Sequence, residues 1–122
     1  MILPPGLIVA TIWGAAVEYE WDEAKRHSNL AKHGVDFSSL AAFEWESSWE
    51  TEDTRKDYGE RRWISLGRIG QLVHVLIYTR RGMRVRVISL LVANRKELEG
   101  YEANAQAANG RRVSGDSARH RP

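Results

Sequence analysis

The chain has 122 residues, of which 43% are hydrophobic and 28% charged, and this suits a single globular domain. It contains no cysteine, so disulfide scaffolds, thiol nucleophiles and cysteine-based metal sites are excluded. Chains of this size without disulfides are typical of a reducing cytoplasm, and no apolar run reaches the roughly 18–20 residues of a membrane-spanning helix. We therefore expect a cytoplasmic protein with no membrane contact.

The charged residues are unevenly distributed along the chain. From Glu18 to Glu60 there are 12 acidic and 5 basic residues, whereas from Arg61 to Lys96 there are 9 basic residues and no acidic ones. Eight of those nine are arginine, which binds phosphate through paired hydrogen bonds. Such segregation is typical of proteins that bind a nucleic acid or an acidic protein, although a solvated surface is the simpler alternative.

The first third of the chain predicts two strands and a helix. Residues 1–17 carry no charge, and the β-branched residues within 8–12 predict a short strand. The alternation over 18–21 predicts the first strand of the domain proper. Asp22 is a good N-cap and Gly34 a good C-cap, so a helix is expected between them.

The remaining elements follow in order. A second short helix is predicted over 37–45, with Phe37, Leu40, Ala41 and Phe43 partly buried, and a long surface loop over 47–60. Strands are predicted at 63–67, 72–79 and 85–92, and a final helix runs from Asn94 to about Ala105. The order predicts an α+β fold in which helices cover one face of an antiparallel sheet. We divide the chain into an extension at 1–17, a domain at 18–105 and a flexible tail at 106–122.

Two registers are open for the hairpin at Arg81-Gly82. A two-residue loop places Arg84 and Arg86 on the face of Val75 and Ile77, whereas an odd-length loop places them on the opposite face. We predict the second, because it gathers apolar side chains on one face: Val73, Val75, Ile77, Val85 and Val87. The other face would then be basic, with aromatic groups interleaved: His74, Leu76, Tyr78, Arg80, Arg84, Arg86 and Ile88.

The motifs of many enzyme classes are absent. The four histidines match no metal-ligand spacing, and the chain has no phosphate-binding loop and no nucleophile elbow, so we expect neither metal nor cofactor. Metal-free RNA cleavage stays open, because attack by the ribose 2′-OH needs only a base, an acid and cations.

Each candidate residue for that chemistry has a structural alternative. Glu60 could be the base or one member of a surface ion pair, and His74 the acid or a half-buried strand histidine. Arg84 and Arg86 could hold phosphate together with Arg81, or simply line a solvated strand edge. The candidates for RNA binding are Lys25, Arg62, Tyr78 and Arg80, of which Lys25 lies on a polar helix face and Tyr78 could equally be a packing residue.

Three separated motifs resemble the BrnT family. The first runs from Glu20-Trp21-Asp22-Glu23-Ala24-Lys25 through Asn29 to Lys32-His33-Gly34-Val35 and Phe37. The second is the stretch 52–60 with Arg62 and Gly67, and the third covers 75–79, 81–82, 84–89, 93–97 and Tyr101. The likeness therefore extends over about residues 18–102.

The resemblance implies a RelE-like fold and a metal-independent ribonuclease toxin of a type II toxin–antitoxin system. It also implies a BrnA-type antitoxin as partner, RNA as substrate, and operator DNA bound only through the antitoxin. A catalytically inactive subunit that binds the antitoxin and takes part in operon autoregulation is the alternative.

The chain departs from the BrnT pattern at three places. Leu91 and Val92 stand where relatives carry Arg-Lys, and Gln71 stands where they often carry Arg, so the activity is expected to be reduced, because each missing cation costs about 10²–10³ in rate. The extension precedes a motif that usually opens the chain, so we expect translation to start at Val17. The alternative is a genuine edge strand within 7–13.

Overall fold

The computed structural model describes residues 9–14 and 16–114, and six strands in them form one sheet. Their spatial order is β1-β2-β6-β5-β4-β3. Neighbouring strands are antiparallel except β2 and β6, which run parallel. The elements are β1 (Val9–Gly14), β2 (Val17–Asp22), α1 (Glu23–His33), β3 (Trp49–Glu52), β4 (Trp63–Ile69), β5 (Leu72–Arg81), β6 (Arg84–Val92) and α2 (Arg95–Ser114), with two 3-10 helices at Phe37–Ala42 and Trp45–Ser47.

The helix after β2 is confirmed with both of its caps. The Asp22 side chain accepts a hydrogen bond of 2.8 Å from the Ala24 amide, which satisfies one free donor of the first turn. Gly34 has φ 73°, and its amide donates to the Leu30 carbonyl over 2.9 Å. A side chain at that position would be strained, so glycine ends the helix there.

The predictions for the segment between α1 and β4 need correction. The helix expected over 37–45 is two 3-10 helices, in which Phe37 and Leu40 are buried while Ala41 is exposed. The expected loop over 47–60 contains β3. This strand lies at the sheet edge with three of its four residues exposed, so its sequence is polar and lacks the apolar pattern that predicts a strand.

The predicted register of the β5–β6 hairpin is wrong. Arg81 pairs directly with Arg84, so the turn has two residues, and Gly82 provides the positive φ (62°) such a turn needs. Arg84 and Arg86 therefore share a face with Val75 and Ile77. A bulge between Ile77 and Tyr78 shifts the second half of β6, so the apolar alternation along β6 is not continuous.

Both faces of the sheet carry a core. One face, here called the major face, packs Leu76 and Tyr78 of β5 against the residues of the first 3-10 helix. The opposite face, here called the α2 face, packs Val73 and Val75 against Tyr101 of α2. The predicted α+β class is confirmed, since helices pack on a six-stranded sheet. Two details differ from the prediction: the β2–β6 pair is parallel, and α2 packs on the face opposite the first 3-10 helix. Neither the pairing of distant strands nor the docking side of α2 leaves a local pattern in the sequence.

The last helix is longer than predicted. α2 begins with a reciprocal cap, in which the Glu97 amide donates to Asn94 Oδ1 and the Asn94 amide to Glu97 Oε1, each over 2.8 Å. It continues to Ser114 rather than ending near Ala105, and the rest of the predicted tail lies outside the described residues. In the described part of the chain, no helix is long and apolar enough to cross a membrane.

A strand is present in the N-terminal extension, as the alternative prediction for 7–13 required. All six residues of β1 pair with β2, from Val9 opposite Asp22 to Gly14 opposite Val17. Gly14 lies so close to the 3-10 helix that a Cβ there would be 2.7 Å from the Ala41 Cα. β1 is therefore packed as an integral edge strand, while residues 1–8 lie outside the described residues.

Candidate functional site

Predicted site residues gather where the β5–β6 hairpin turns. Arg84 lies opposite Arg81, and Arg86 lies opposite Thr79, all on the α2 face. The carboxylate of Glu60, in the loop before β4, is 3.4 Å from Nη2 of Arg81. Continuing the β4–β5 register one step beyond Trp63 and Tyr78 places Arg62 beside Thr79. We call this set the hairpin-end site: Glu60, Arg62, Thr79, Arg81, Arg84 and Arg86.

Two glutamates of β2 partly neutralise the hairpin-end site. Arg84 donates from Nε to Glu18 over 3.0 Å and from Nη1 to Glu20 over 3.2 Å. Arg86 donates to the other oxygen of Glu20 over 3.1 Å. The bond to Glu18, followed by the bond to Glu20, raises the pKa of Arg84, which keeps it charged. These acids hold the two guanidinium groups in place but also compete with any incoming anion.

A buried carboxylate organises the loop that delivers Glu60 and Arg62. Asp53 accepts hydrogen bonds of 2.8 Å from both Nε and Nη2 of Arg55, and one of 3.1 Å from the Tyr58 hydroxyl. The guanidinium of Arg62 lies 3.8 Å from the centre of the Tyr58 ring. Sequence reasoning did not select Asp53, although its short spacing to two hydrogen-bond donors was a usable signal.

The hairpin-end site has unused hydrogen-bonding capacity. Within the described residues, two buried side-chain polar atoms lack a partner, and these are Arg62 Nε and Thr79 Oγ1. Buried polar groups are normally satisfied by the protein or by ordered water, so these two atoms leave hydrogen-bonding positions for a water molecule or a polar ligand. Both atoms belong to neighbouring positions of one face, which favours a polar ligand there. Only the correct register identifies Thr79, so the sequence prediction missed it.

The structure does not bring His74 to this site. His74 lies opposite Val92, seven residues before Arg81 on β5 and on the major face, so it is roughly 23 Å away along the strand. It is buried, and its Nδ1 is 3.0 Å from the Leu72 carbonyl oxygen. The structure therefore does not bring Glu60 and His74 together, and the contact that it shows for the His74 ring is with the backbone of its own strand.

Tyr78 is part of the core rather than of a surface. Its side chain has no solvent exposure, its hydroxyl is 3.2 Å from Ser65 Oγ, and its ring packs edge-on against Trp45. The Tyr78 ring is therefore covered in this structure and offers no surface on which a base could stack. The sequence prediction of Tyr78 as an RNA-binding residue depended on the wrong register, which places the arginines and Tyr78 on one face.

Arg80 projects from the major face, where it lines a cavity of about 270 Å³ together with Glu60, Arg61 and Trp63. It forms an ion pair of 2.7 Å with Glu50, and its guanidinium is 4.8 Å from the centre of the Trp63 ring. Arg61 lies at the same distance from that ring and pairs with Glu52. Both arginines are therefore held by acids of β3.

Lys25 lines a separate groove between α1 and β6, about 180 Å³ in volume. We call it the α1 groove, and it is lined by Lys25, Ser28, Asn29, Lys32, His33, Ile88 and Ser89. In the part of the chain that the structure describes, no three His, Asp or Glu side chains are grouped as metal ligands would be.

The family model of the BrnT ribonuclease toxins of type II toxin–antitoxin systems matches residues 21–97. The chain belongs to the BrnT family. A search of curated proteins found no match. The matched stretch runs from β2 into α2 and includes every residue of the hairpin-end site. Membership indicates a ribonuclease toxin and implies an antitoxin partner for this BrnT chain.

Proposed function

We propose that this BrnT protein is an endoribonuclease that cleaves RNA at the hairpin-end site without a metal ion. The observation that supports it is the placement of a carboxylate, Glu60, against Arg81 on the face that also carries Arg84 and Arg86. A base beside several cations is what transfer of a phosphoryl group to the ribose 2′-OH requires. The six-stranded sheet with helices on it is also compatible with a RelE-like fold, which we propose here.

In the proposed reaction Glu60 removes the proton of the 2′-OH. The O2′–P bond forms and the P–O5′ bond breaks, which leaves a 2′,3′-cyclic phosphate and a 5′-hydroxyl group that takes its proton from water. Arg81 and Arg84 stabilise the charge that develops on the phosphate oxygens. Arg62 and Arg86 hold the phosphate in position through the donors that their bonds within the protein leave free.

Substitution of Glu60 tests the proposal. Glu60→Gln keeps the size of the side chain but cannot accept the proton at neutral pH, so the cleavage rate should fall about 10²–10⁴-fold. The measurement is cleavage of an end-labelled RNA in the presence of a chelator, with the product ends identified. Glu46→Gln is the matched control, because Glu46 is exposed on a 3-10 helix. Equal rates in the two variants, or a need for added metal, would contradict the proposal.

The proposed partner is a BrnA-type antitoxin in the cytoplasm. Type II systems pair a toxin with an antitoxin protein, and family membership supports such a partner. We propose that the antitoxin covers the hairpin-end site and that operator DNA is bound only through it. Acidic side chains of the antitoxin would take the place of the RNA phosphates on Arg81 and Arg84.

An inactive, antitoxin-binding subunit is the second candidate, and one observation favours it. Leu91 is partly buried and packs against the core of the α2 face, and Val92 is exposed, so the end of β6 offers apolar groups where the resemblance implies cations. Replacing Leu91 by Arg would place a charge in that core, which is costly, so restored activity is not expected from it. Antitoxin binding without any RNA cleavage by the natural chain would favour this candidate.

A further inference from the structure

We infer that the α1 groove binds a backbone phosphate of the RNA strand whose scissile phosphate lies at the hairpin-end site. The inference rests on the proposed function for the position of the scissile phosphate, but the binding it requires is measurable without cleavage. The main observation behind it is that the groove is polar and is lined by two lysines and a histidine, Lys25, Lys32 and His33, and by no acidic residue.

The groove is built by one face of α1 and the bulged part of β6. Lys25, Ser28, Asn29 and Lys32 follow the spacing of three and four residues that aligns side chains on one side of a helix. Its floor is Ile88 and Ser89. Val87 lies opposite Tyr78 and Ser89 opposite Ile77, so Ile88 is the extra residue of the bulge. Bulges often accompany functional sites because they redirect side chains.

Asn29 fixes the two walls relative to each other. Its amide nitrogen donates to the Leu90 carbonyl over 2.7 Å, and its amide oxygen accepts from the Leu90 amide over 3.1 Å. The same oxygen accepts from Ser89 Oγ over 3.2 Å. The groove is therefore preorganised, and a ligand need not order its walls on binding.

The charges in the groove are uncompensated, in contrast to those of the hairpin-end site. Lys25 and Lys32 are exposed, and neither has an ion-pair partner within the described residues, whereas Arg84 and Arg86 are both paired with Glu20. Two ammonium groups and the Ser28 hydroxyl offer more donors than one carboxylate can accept, but they suit the oxygens of a phosphate. This favours RNA over an acidic peptide.

The groove also lies in line with the hairpin-end site. Ser89 pairs with Ile77 and Arg86 with Thr79, so both project from the α2 face of β6. The two pairs are two residues apart on β5, a distance of about 7 Å that is close to the spacing of successive phosphates in a nucleic-acid strand. A strand held by Arg84 and Arg86 can therefore continue along β6 into the α1 groove.

The test is binding of a fluorescent RNA octanucleotide with 2′-O-methyl groups, which cannot be cleaved through the 2′-OH. The full chain carrying Lys25→Gln and Lys32→Gln should bind at least about tenfold more weakly, and the slope of log K against log salt should fall by about 0.7 for each phosphate that the protein no longer neutralises. Arg95→Gln with Lys96→Gln is the matched control, because it removes the same charge from the exposed start of α2. The control should change the affinity by less than about threefold, since only phosphates near a cation respond to its removal.

Further variants make each outcome decisive. Lys25→Arg with Lys32→Arg should retain binding if charge is the cause, and thermal melting should show that every variant is folded. Equal affinities of the glutamine pair and its control would overturn the inference, as would loss of antitoxin binding with unchanged RNA binding. Binding of the octanucleotide involves no cleavage, so loss of cleavage in Glu60→Gln tests the proposed chemistry and loss of binding in the lysine variants tests this inference, and the two failures can be told apart.

Discussion

At the level of single residues, Asp53 shows how a polar loop acquires a fixed shape. Its side chain has no solvent exposure, yet it is charged because Arg55 and Tyr58 supply its hydrogen bonds. The bonds from Arg55 are the main cause that holds the pKa of Asp53 well below its ordinary value of 3.8. The loop that carries Glu60 and Arg62 therefore depends on one buried carboxylate.

Asp53→Asn should destabilise the protein by about 2 kcal/mol at pH 7, because hydrogen bonds to a charged group are weakened. Because the pKa of Asp53 is lower in the folded state than in the unfolded state, ionised Asp53 stabilises the folded protein. This stabilisation is complete above the unfolded pKa of 3.8 and is lost as the pH falls from there toward the folded pKa. The difference between natural chain and variant in urea unfolding should therefore shrink below about pH 4. Asp57→Asn, an exposed change in the same loop, is the control and should have little effect.

At the level of elements, α1 takes the place of a strand beside β6. β2 pairs with β6 only over Arg84–Arg86, because the chain then turns into α1. Beyond that point the Asn29 side chain bonds both the amide and the carbonyl of Leu90. One side chain thus completes the backbone hydrogen bonding that a longer β2 would have provided.

Asn29→Ala should therefore cost roughly 2–4 kcal/mol of folding stability, because it leaves buried backbone groups of Leu90 unpaired. The stability of Asn29→Asp should lie between those of the natural chain and Asn29→Ala, since a carboxylate still accepts from the Leu90 amide but cannot donate to the Leu90 carbonyl. Thermal or urea unfolding measures both. Ser28→Ala, on the same helix face but exposed, serves as control, and a destabilisation of similar size there would show that the helix face and not the Leu90 contact is responsible.

The elements that the sequence predicts well are those defined by local signals. The caps at Asp22 and Gly34 and the strands β2, β4, β5 and β6 are predictable from residues close in the chain. The hairpin register failed because the presence of arginine was taken to exclude an apolar face, whereas Glu18 and Glu20 of a distant strand pair with Arg84 and Arg86. Of the candidate site residues, Arg81, Arg84 and Arg86 lie together on the α2 face, whereas His74 and Tyr78 lie on the major face, and the roles of all five stay predictions.

At the level of the whole molecule, folding brings the acidic and basic segments together. Five of the nine basic residues between Arg61 and Lys96 form ion pairs with acids from the segment 18–60, and they are Arg61, Arg80, Arg81, Arg84 and Arg86. The separation of acidic and basic residues along the sequence thus largely reflects ion pairs that form when the two segments fold against each other. Under the proposed function, RNA binding would depend on which arginines the phosphates can take from their acidic partners and on the lysines of the α1 groove.

Removing one of these competing acids should strengthen RNA binding. Glu18 pairs with Arg84, which is half exposed and faces the proposed RNA track. Glu18→Gln removes one of the two acids that compete for this cation and leaves Glu20 as its partner. Exposed ion pairs are worth about 0.2–1 kcal/mol, so affinity for the uncleavable octanucleotide should rise about two- to fivefold, with a steeper salt dependence. Glu52→Gln removes the same charge but releases Arg61 beside Trp63 on the major face, and it should leave the affinity nearly unchanged. If both variants gained affinity equally, net charge alone would govern RNA binding, and the proposal that RNA binds on the α2 face would be contradicted.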